Sequence, residues 1–300
     1  MTGDERGIAM TQLTRRQVLK AAGATAAAAL MAPLPALRRV AARAATATWN
    51  HDPDSPIGPP HWEDIGYPTC GSGMRQSPVD IRTHRVAASR GRPILLRYPV
   101  SDLTVVNTGH VVEVPVPAGV RTVMRLDGER YELVQFHVHA PSEHAINGRL
   151  ADAEVHFVHQ GAEGALAVVG VLYRRGPRPN ELLDRILLAA PETADEEADI
   201  GEASPAELFE GLRRVRVSHR GRVRVGSFYG YDGSLTTPGC TEDVRWSVLA
   251  SGGQVSSAAV AHLHEVISRF PGYDGYPNNN RPVQPLDGRV VRLRRARHHH

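Results

Sequence analysis

Aromatic side chains, cysteines and long apolar runs are all scarce in this sequence of 300 residues, which has 5% aromatics and two cysteines. No repeat with a period of about 20 to 50 residues is present, which excludes solenoids and propellers. The shares of hydrophobic (41%) and charged (22%) residues are ordinary for a globular chain with a core. Mostly disordered, collagen-like and coiled-coil chains are therefore excluded. The length suits two average domains, or one large β-rich domain with appendages.

The formal net charge of +3 is unevenly distributed along the chain. Residues 1–44 hold seven basic and two acidic groups, and residues 289–300 hold five arginines and no acid. The remaining body, residues 45–288, holds 23 basic and 30 acidic groups, a net charge of −7. A nucleic-acid-binding role inferred from overall charge is therefore excluded.

The N-terminus has the features of an export signal. Residues 14–20 (TRRQVLK) form a twin-arginine pattern, an uncharged alanine-rich stretch follows over 21–37, and Ala-Arg-Ala at 42–44 fits a cleavage site. We predict that residues 1–44 are a removable Tat-type signal, which the Tat export machinery carries to the periplasm or beyond. The alternatives are an amphipathic helix of the fold or an uncut anchor. The uncharged stretch is too short and too weakly apolar for a stable span, so we expect none in the mature form.

Cys70 and Cys240 both lie in the exported part of the chain. In an oxidising compartment, two cysteines more often form one disulfide than remain two free thiols, although two unrelated buried thiols stay an alternative. Neither cysteine has a CxxC neighbour, so no zinc–thiolate site is predicted.

Short β-rich runs dominate the body, and clusters of Gly, Pro, Asn and Asp separate them. We predict strands at 94–98, 103–107, 110–116, 131–140, 153–159, 166–174 and 243–250. Helical patterns are few and short, at 181–189, 205–212 and 256–270, and the acidic stretch 192–202 has the composition of a solvated loop. The expected fold is therefore mainly β (α+β): one large sheet with peripheral short helices in a single domain, 45–293. Residues 294–300 are expected to be a disordered tail or a purification-tag remnant.

Three of the fifteen histidines have the spacing of a metal site. Gln135, His137 and His139 alternate along one predicted strand, so they share a face; Glu154 and His156 share a face of the next strand. Three neutral imidazoles that leave a fourth tetrahedral position open are typical of a catalytic zinc centre. Gln135 and Glu154 each precede a histidine by two residues, where they can accept its free N–H. The pattern predicts a Zn²⁺ cofactor.

At this point the chain resembles a known family, the α-class carbonic anhydrases, and more closely their bacterial members. The resemblance covers nearly all of residues 49–293. Its segments are HWEDI (61–65), QSPVDI (76–81), NTGH (107–110), QFHVHAPSEH (135–144), AEVHFVH (153–159), GSLTTPGCTEDVRW (233–246) and RPVQPL (281–286). It implies a mostly antiparallel central sheet of about ten strands, and reversible zinc-dependent hydration of carbon dioxide to bicarbonate and a proton by zinc-bound hydroxide. Weak esterase activity is an expected side reaction.

The resemblance also implies roles for particular residues. Thr236 matches a gatekeeper hydroxyl, Glu143 the carboxylate that takes its proton, and His110 the proton shuttle. Thr237 matches a residue that helps to bind bicarbonate, and Cys70 and Cys240 match a disulfide of bacterial relatives. The residues implied for the apolar wall that holds carbon dioxide are Val158, Val168, Leu235, Val244 and Trp246.

One departure from the family pattern and several open alternatives remain. Relatives usually carry Tyr where Trp49-Asn50-His51 places His51, which puts in doubt the usual ordering of waters between zinc and His110. His144 and His159 are expected to be structural. The competing functions are a non-catalytic binding module and a zinc hydrolase of esters. Expected partners are the small substrate and the Tat machinery, with a homodimer as an option and no nucleic acid.

Overall fold

The structure is a computed structural model that describes residues 49–296. The predicted signal peptide 1–44 and residues 297–300 lie outside the described residues.

Seventeen strands are present in this range, and fifteen of them form one curled sheet. The strands are β1 (Asp80–Ile81), β2 (Ala87–Gly91), β3 (Ile94–Arg97), β4 (Ser101–Asn107), β5 (Val112–Pro115), β6 (Val123–Leu126), β7 (Glu129–His139), β8 (Ala145–Ile146), β9 (Ala153–Gly161), β10 (Leu166–Arg175), β11 (Glu197–Ala203), β12 (Val215–Ser218), β13 (Arg222–Val225), β14 (Ser227–Ser234), β15 (Glu242–Leu249), β16 (Gly253–Val255) and β17 (Arg292–Ala296). The main path of the sheet runs β12-β13-β3-β6-β7-β9-β10-β15-β14-β17-β2, and β1 pairs with β8 apart from it.

The mainly β prediction is confirmed, and most pairs in the sheet are antiparallel. Strand β10 is parallel to both β15 and β16, and β17 is parallel to β2, so the sheet is mixed. The sheet has more strands than the ten implied by the resemblance, because short outer strands such as β2, β12 and β13 extend it. Strand burial alternates along β3 and β4, as expected where one face packs on the core and the other meets solvent.

Three short α-helices lie in the described range: α1 (Thr69–Ser72), α2 (Glu181–Leu188) and α3 (Ser257–Ser268). Asn180 caps α2 and Ser256 caps α3, each by accepting a backbone N–H of the first turn. The helix predicted over 205–212 is instead a 3₁₀ turn, Pro205–Phe209, which ends where Glu210 becomes extended. None of the helices within residues 49–296 has the length and apolar character needed to cross a membrane.

Two predictions at the sheet margins are wrong. Part of the acidic stretch 192–202 was expected to be a loop, but residues from Glu197 form β11, which pairs antiparallel with β4. Its carboxylates project into water, so a strand at an edge can carry them. The predicted tail begins inside β17: Arg294 and Arg295 pair with both β14 and β2, and Ala296 pairs with β2.

The core is divided by the sheet into separate apolar clusters. The largest lies against α2 and α3 and includes Phe136, Phe157 and Phe209. A second surrounds Trp246 on β15, and a third joins Trp49 and Trp62 to the two cysteines. Cys70 and Cys240 form a disulfide, with their Cα atoms 5.1 Å apart, as predicted.

Candidate metal centre

Antiparallel pairing of β7 with β9 brings the three predicted histidines together. His137 lies directly opposite His156, and His139 lies opposite Glu154. One ring nitrogen from each of His137, His139 and His156 falls within 4.8 Å of the others. The period-2 alternation of β7 puts His137 and His139 on the same face, so the register of two strands suffices to build the cluster.

Each of the three imidazoles has an oxygen beside its other ring nitrogen. His137 Nδ1 lies 2.8 Å from Gln135 Oε1, and Glu154 Oε1 lies 3.1 Å from His156 Nε2. His139 Nδ1 lies 2.7 Å from the backbone carbonyl of Asn279. These contacts leave His137 Nε2, His139 Nε2 and His156 Nδ1 to face one another.

The chemistry of these nitrogens suits a cation. Burial, the largest cause, and the neighbouring imidazoles lower the pKa of His137, and burial lowers that of His139 to about 4. Burial also lowers the pKa of His156. All three rings are therefore neutral near pH 7 and carry a lone pair. His139 Nε2 is buried with no hydrogen-bond partner among the described residues, an arrangement that a bound metal ion would satisfy.

A second cluster of potential ligands has a simpler explanation. His144, Glu154 and His156 also lie close enough to hold a metal. However, His144 Nδ1 is 2.8 Å from Glu154 Oε1, and its Nε2 is 2.6 Å from the hydroxyl of Tyr231. Glu154 Oε2 accepts the backbone N–H groups of Glu143 and His144. Both ring nitrogens of His144 thus have partners within the protein, and the ring helps to hold the Glu154 carboxylate in place.

Glu143 is a fully buried carboxylate beside the cluster. Its Oε1 accepts the backbone N–H of Arg281 at 2.8 Å, and its Oε2 lies 3.6 Å from His139 Nε2. Burial raises the pKa of Glu143 to about 7, although the neighbouring His156 and Thr236 act in the opposite direction. Thr236 belongs to the turn between β14 and β15, the turn that also carries Cys240.

A cavity of about 190 Å³ opens beside the histidine cluster. Val158, Val168, Leu235 and Trp246 form much of its apolar wall, and Thr236 and Thr237 line it next to His137. The fifth wall residue implied by the resemblance, Val244, does not line the cavity. It lies on the same face of β15 as Trp246, opposite Leu166, but its side chain is fully buried within the second cluster.

His110 lines the same cavity, and its side chain is only partly exposed to solvent. Its ring stacks on Trp49 with centroids 3.8 Å apart and planes at 6°. Burial lowers the pKa of His110 to about 4, and its Nδ1 has no hydrogen-bond partner among the described residues. In this position the ring is neutral near pH 7.

His51, in contrast, is completely buried and does not line the cavity. Its Nδ1 lies 2.5 Å from the hydroxyl of Tyr273, and its ring meets Trp49 and Trp62 edge-on. Burial, followed by the charges of neighbouring basic groups, lowers its pKa well below the ordinary value. The histidine is smaller than tyrosine, and its contacts hold it among the aromatic side chains of the third cluster.

Two residues near the site were missed by sequence reasoning. The Asn279 side chain accepts the N–H of Ala140 and donates to the carbonyls of His110 and Val138, so it joins β7 to the His110 loop. Arg281 is buried and donates to Gln76, Ser77 and Cys70. Arg281 lies in the quoted segment RPVQPL, which was a signal of its importance. The Asn279 contact to His139 uses a backbone carbonyl, which no residue pattern reveals.

Comparisons with known proteins agree with this architecture. The model of the eukaryotic-type carbonic anhydrase family matches residues 57–295, and a model of the twin-arginine translocation signal matches residues 12–32. The chain is 35% identical to alpha carbonic anhydrase 4 of Arabidopsis thaliana, over 77% of this chain and 78% of the relative. It is 31% identical to a carbonic anhydrase of Nostoc sp., over 93% of this chain and 97% of the relative.

A solved structure gives the same result. The chain is similar to the α-carbonic anhydrase of Thermovibrio ammonificans in complex with sulfanilamide, with a TM-score of 0.68 and 35% identity over 82% of this chain and 99% of that one. The chain therefore belongs to the α-carbonic anhydrase family, whose activity is zinc-dependent hydration of carbon dioxide. Its Tat signal indicates export across the membrane, to the periplasm or the exterior.

Proposed function

We propose that His137, His139 and His156 hold one zinc ion and that the cavity beside them hydrates carbon dioxide. The observation that carries this proposal is the buried, unpartnered Nε2 of His139 within a cluster of three neutral imidazoles. When bound, zinc lowers the pKa of a water molecule to about 7, a general figure for carbonic anhydrases rather than a measurement on this chain. Gln135, Asn279 and Glu154 orient the rings and select the nitrogen that each presents.

Thr236 and Glu143 orient the attacking oxygen. If the Thr236 hydroxyl donates its hydrogen to Glu143, its lone pairs are left to accept a hydrogen from the nucleophile, which then turns a lone pair toward the substrate. This direction requires an ionised Glu143. A cation held by the adjacent imidazoles would favour that form, because a nearby positive charge lowers the pKa of a carboxyl group.

The apolar wall suits a nonpolar substrate and releases a charged product. Val158, Val168, Leu235 and Trp246 offer carbon dioxide no hydrogen bond, and Thr237 offers bicarbonate one. His110 is proposed to carry the released proton to solvent. Since its stacked form has a pKa of about 4, this role requires the ring to leave Trp49 for a position nearer water, where a pKa near the ordinary 6.5 is restored.

The chain retains all three clustered histidines together with Thr236 and Glu143, which argues against a non-catalytic binding module. Slow ester hydrolysis is proposed as a side reaction of the same nucleophile. A homodimer stays a prediction, as do the domain bounds 45–293, which β17 exceeds by three residues.

Stopped-flow hydration of carbon dioxide by the purified mature chain tests the proposal. Activity should disappear on chelation and return when zinc is added back. Ester hydrolysis measured on the same samples provides the comparison. Hydration that is absent from the zinc-loaded chain would contradict the proposal, and ester hydrolysis faster than hydration would reassign the main activity.

A further inference from the structure

A basic groove of about 500 Å³ lies on the outer face of β12, β13, β3, β6 and β7. It shares no lining residue with the cavity beside the histidine cluster. We call it the arginine groove after the six arginines that line it, Arg97, Arg125, Arg130, Arg216, Arg222 and Arg224.

Strand register places like charges directly opposite one another in this groove. Arg216 pairs with Arg224, Arg222 pairs with Arg97, and Arg125 pairs with Arg130, each across a neighbouring strand. Directly opposed like charges on one face destabilise a sheet. Three such pairs on adjacent strands therefore indicate a face whose charge is compensated by something outside the chain.

The chain itself supplies little compensation. Among residues 49–296, the only ion pair made by the six arginines is that of Arg130 with Glu132, at 2.8 Å. Yet the body of the chain has an excess of acidic over basic groups. The acids are elsewhere, and the arginine groove is a concentrated basic site on an otherwise acidic molecule.

The floor of the groove contains apolar side chains between the guanidinium groups. Leu95 is 43% exposed and stands between Arg224 and Arg125 in one cross-strand row, and Val123 follows Arg97 in the next. A ligand that fits must offer anionic groups to the arginines and C–H surface to the floor. Sugar rings that bear carboxylate or sulfate groups have both, whereas inorganic phosphate has only the first.

We propose that the arginine groove binds an acidic polysaccharide. The row Arg216, Arg224, Leu95, Arg125 and Arg130 crosses five strands and spans roughly 19 Å at a strand spacing of about 4.8 Å, longer than one sugar. Guanidinium groups bind carboxylate and sulfate through paired N–H donors. A recessed groove accommodates a chain better than a flat membrane surface.

Binding there leaves the hydration site free. Arg130 and His137 belong to the same strand, and seven residues of extended chain separate them by about 23 Å. Export places the protein in the compartment where envelope and extracellular polysaccharides occur. The groove would thus retain the enzyme at an acidic polymer while its cavity stays open.

Affinity measurements with defined polymers test this proposal. The test variant replaces Arg97, Arg222 and Arg224 by Gln in the full mature chain; the matched control replaces the exposed Arg149, Arg178 and Arg185, which removes the same charge elsewhere. The probes are heparin and polygalacturonate, with neutral dextran as the uncharged polymer. Vesicles containing phosphatidylglycerol and light scattering of the free protein complete the set.

The unmodified chain should bind at least one acidic polymer in a salt-sensitive manner and should not bind dextran. The test variant should lose about tenfold or more of this affinity, the control variant much less, and both should hydrate carbon dioxide at the original rate. Absence of binding to both acidic polymers, or equal losses in the two variants, would overturn the proposal. So would groove-dependent binding to vesicles alone, or groove-dependent self-association without polymer binding.

Discussion

The same sheet carries two cross-strand arrangements of like side chains, with opposite consequences. On β7 and β9, His137 faces His156 in the interior, where burial keeps both rings neutral. On β6 and β7, Arg125 faces Arg130 at the surface, where both remain charged. The first pair presents lone pairs to a cation, and the second presents positive charge to an anion. Burial and residue type, rather than strand register, decide which ligand such a pair can take.

Removal of a metal-facing ring should have the largest effect on the buried arrangement. His139→Ala should abolish stoichiometric zinc binding and reduce hydration by more than ~10²-fold, since loss of a ligand exceeds the loss of a supporting contact. Metal analysis and stopped-flow rates provide the measurement. His159→Ala is the control, because His159 is a buried histidine on β9 that contacts Tyr98 instead. Normal zinc content in His139→Ala would contradict the assignment.

Loss of orientation should cost less than loss of the metal. Thr236→Ala and Glu143→Gln should each slow hydration by on the order of 10²-fold while zinc remains bound, because neither side chain is proposed as a ligand. Thr241→Ala, in the same turn but exposed, should match the unmodified rate. If both variants turn over at nearly normal rates, Thr236 and Glu143 do not orient the nucleophile.

A supporting hydrogen bond should contribute next. Gln135→Ala removes the oxygen that lies 2.8 Å from His137 Nδ1 and should weaken zinc affinity by ~10- to 100-fold. Gln135→Glu keeps an acceptor at this position and should recover most of the affinity. Competition with a chelator of known affinity gives both values. Equal affinities for the Ala variant and the unmodified chain would show that Gln135 has no such role.

Removal of the proposed proton carrier, His110, should have a smaller effect than the substitutions above. His110→Ala should lower kcat in dilute buffer, but by less than the ~10²-fold typical of a positioned proton-transfer group, because the ring must leave its stack on Trp49 before it can carry a proton. The ratio kcat/KM should stay constant, and added imidazole should restore kcat. His110→Ala combined with His51→Ala should resemble the single variant, since His51 is buried away from the cavity. An unchanged kcat in dilute buffer would exclude His110 as the carrier.

The smallest effect is expected for the opposed arginines at the surface. Here the substitution should stabilise the protein rather than impair it. Arg222→Thr removes the like charge opposite Arg97 and should increase the free energy of unfolding by roughly 0.2–1 kcal/mol. Arg178→Thr, outside the sheet, should change it little. Denaturant unfolding of the two variants under identical conditions compares them. A decrease for Arg222→Thr would mean that the opposed arginines do not repel one another appreciably.

The cluster of three histidines was predictable because all three lie on two paired strands, β7 and β9. Alternation along β7 and β9, with Gln135 and Glu154 two residues before their histidines, contained the necessary information. The environment of His110 was not predictable, since its ring stacks on Trp49, which lies 61 residues earlier in the chain. Alternation along β15 places Val244 on the same face as Trp246, but its full burial within the second cluster depends on tertiary packing that alternation does not reveal. The strand at Glu197 was hidden because edge strands tolerate the acidic composition of loops.

The disulfide turns most of the molecule into a covalent ring. Cys70 and Cys240 are 170 residues apart, and the segment between them contains every strand from β1 to β14, including both strands that carry the clustered histidines. Exposed turns at Asp127 and Asn147, where proteases commonly cut, lie inside this ring. One cut there opens the ring but releases no fragment, so a nicked molecule should migrate as a single band without reductant and as two bands with it. A cut at Asn147 would separate His137 and His139 from His156 along the chain, yet the disulfide would keep all three in one molecule.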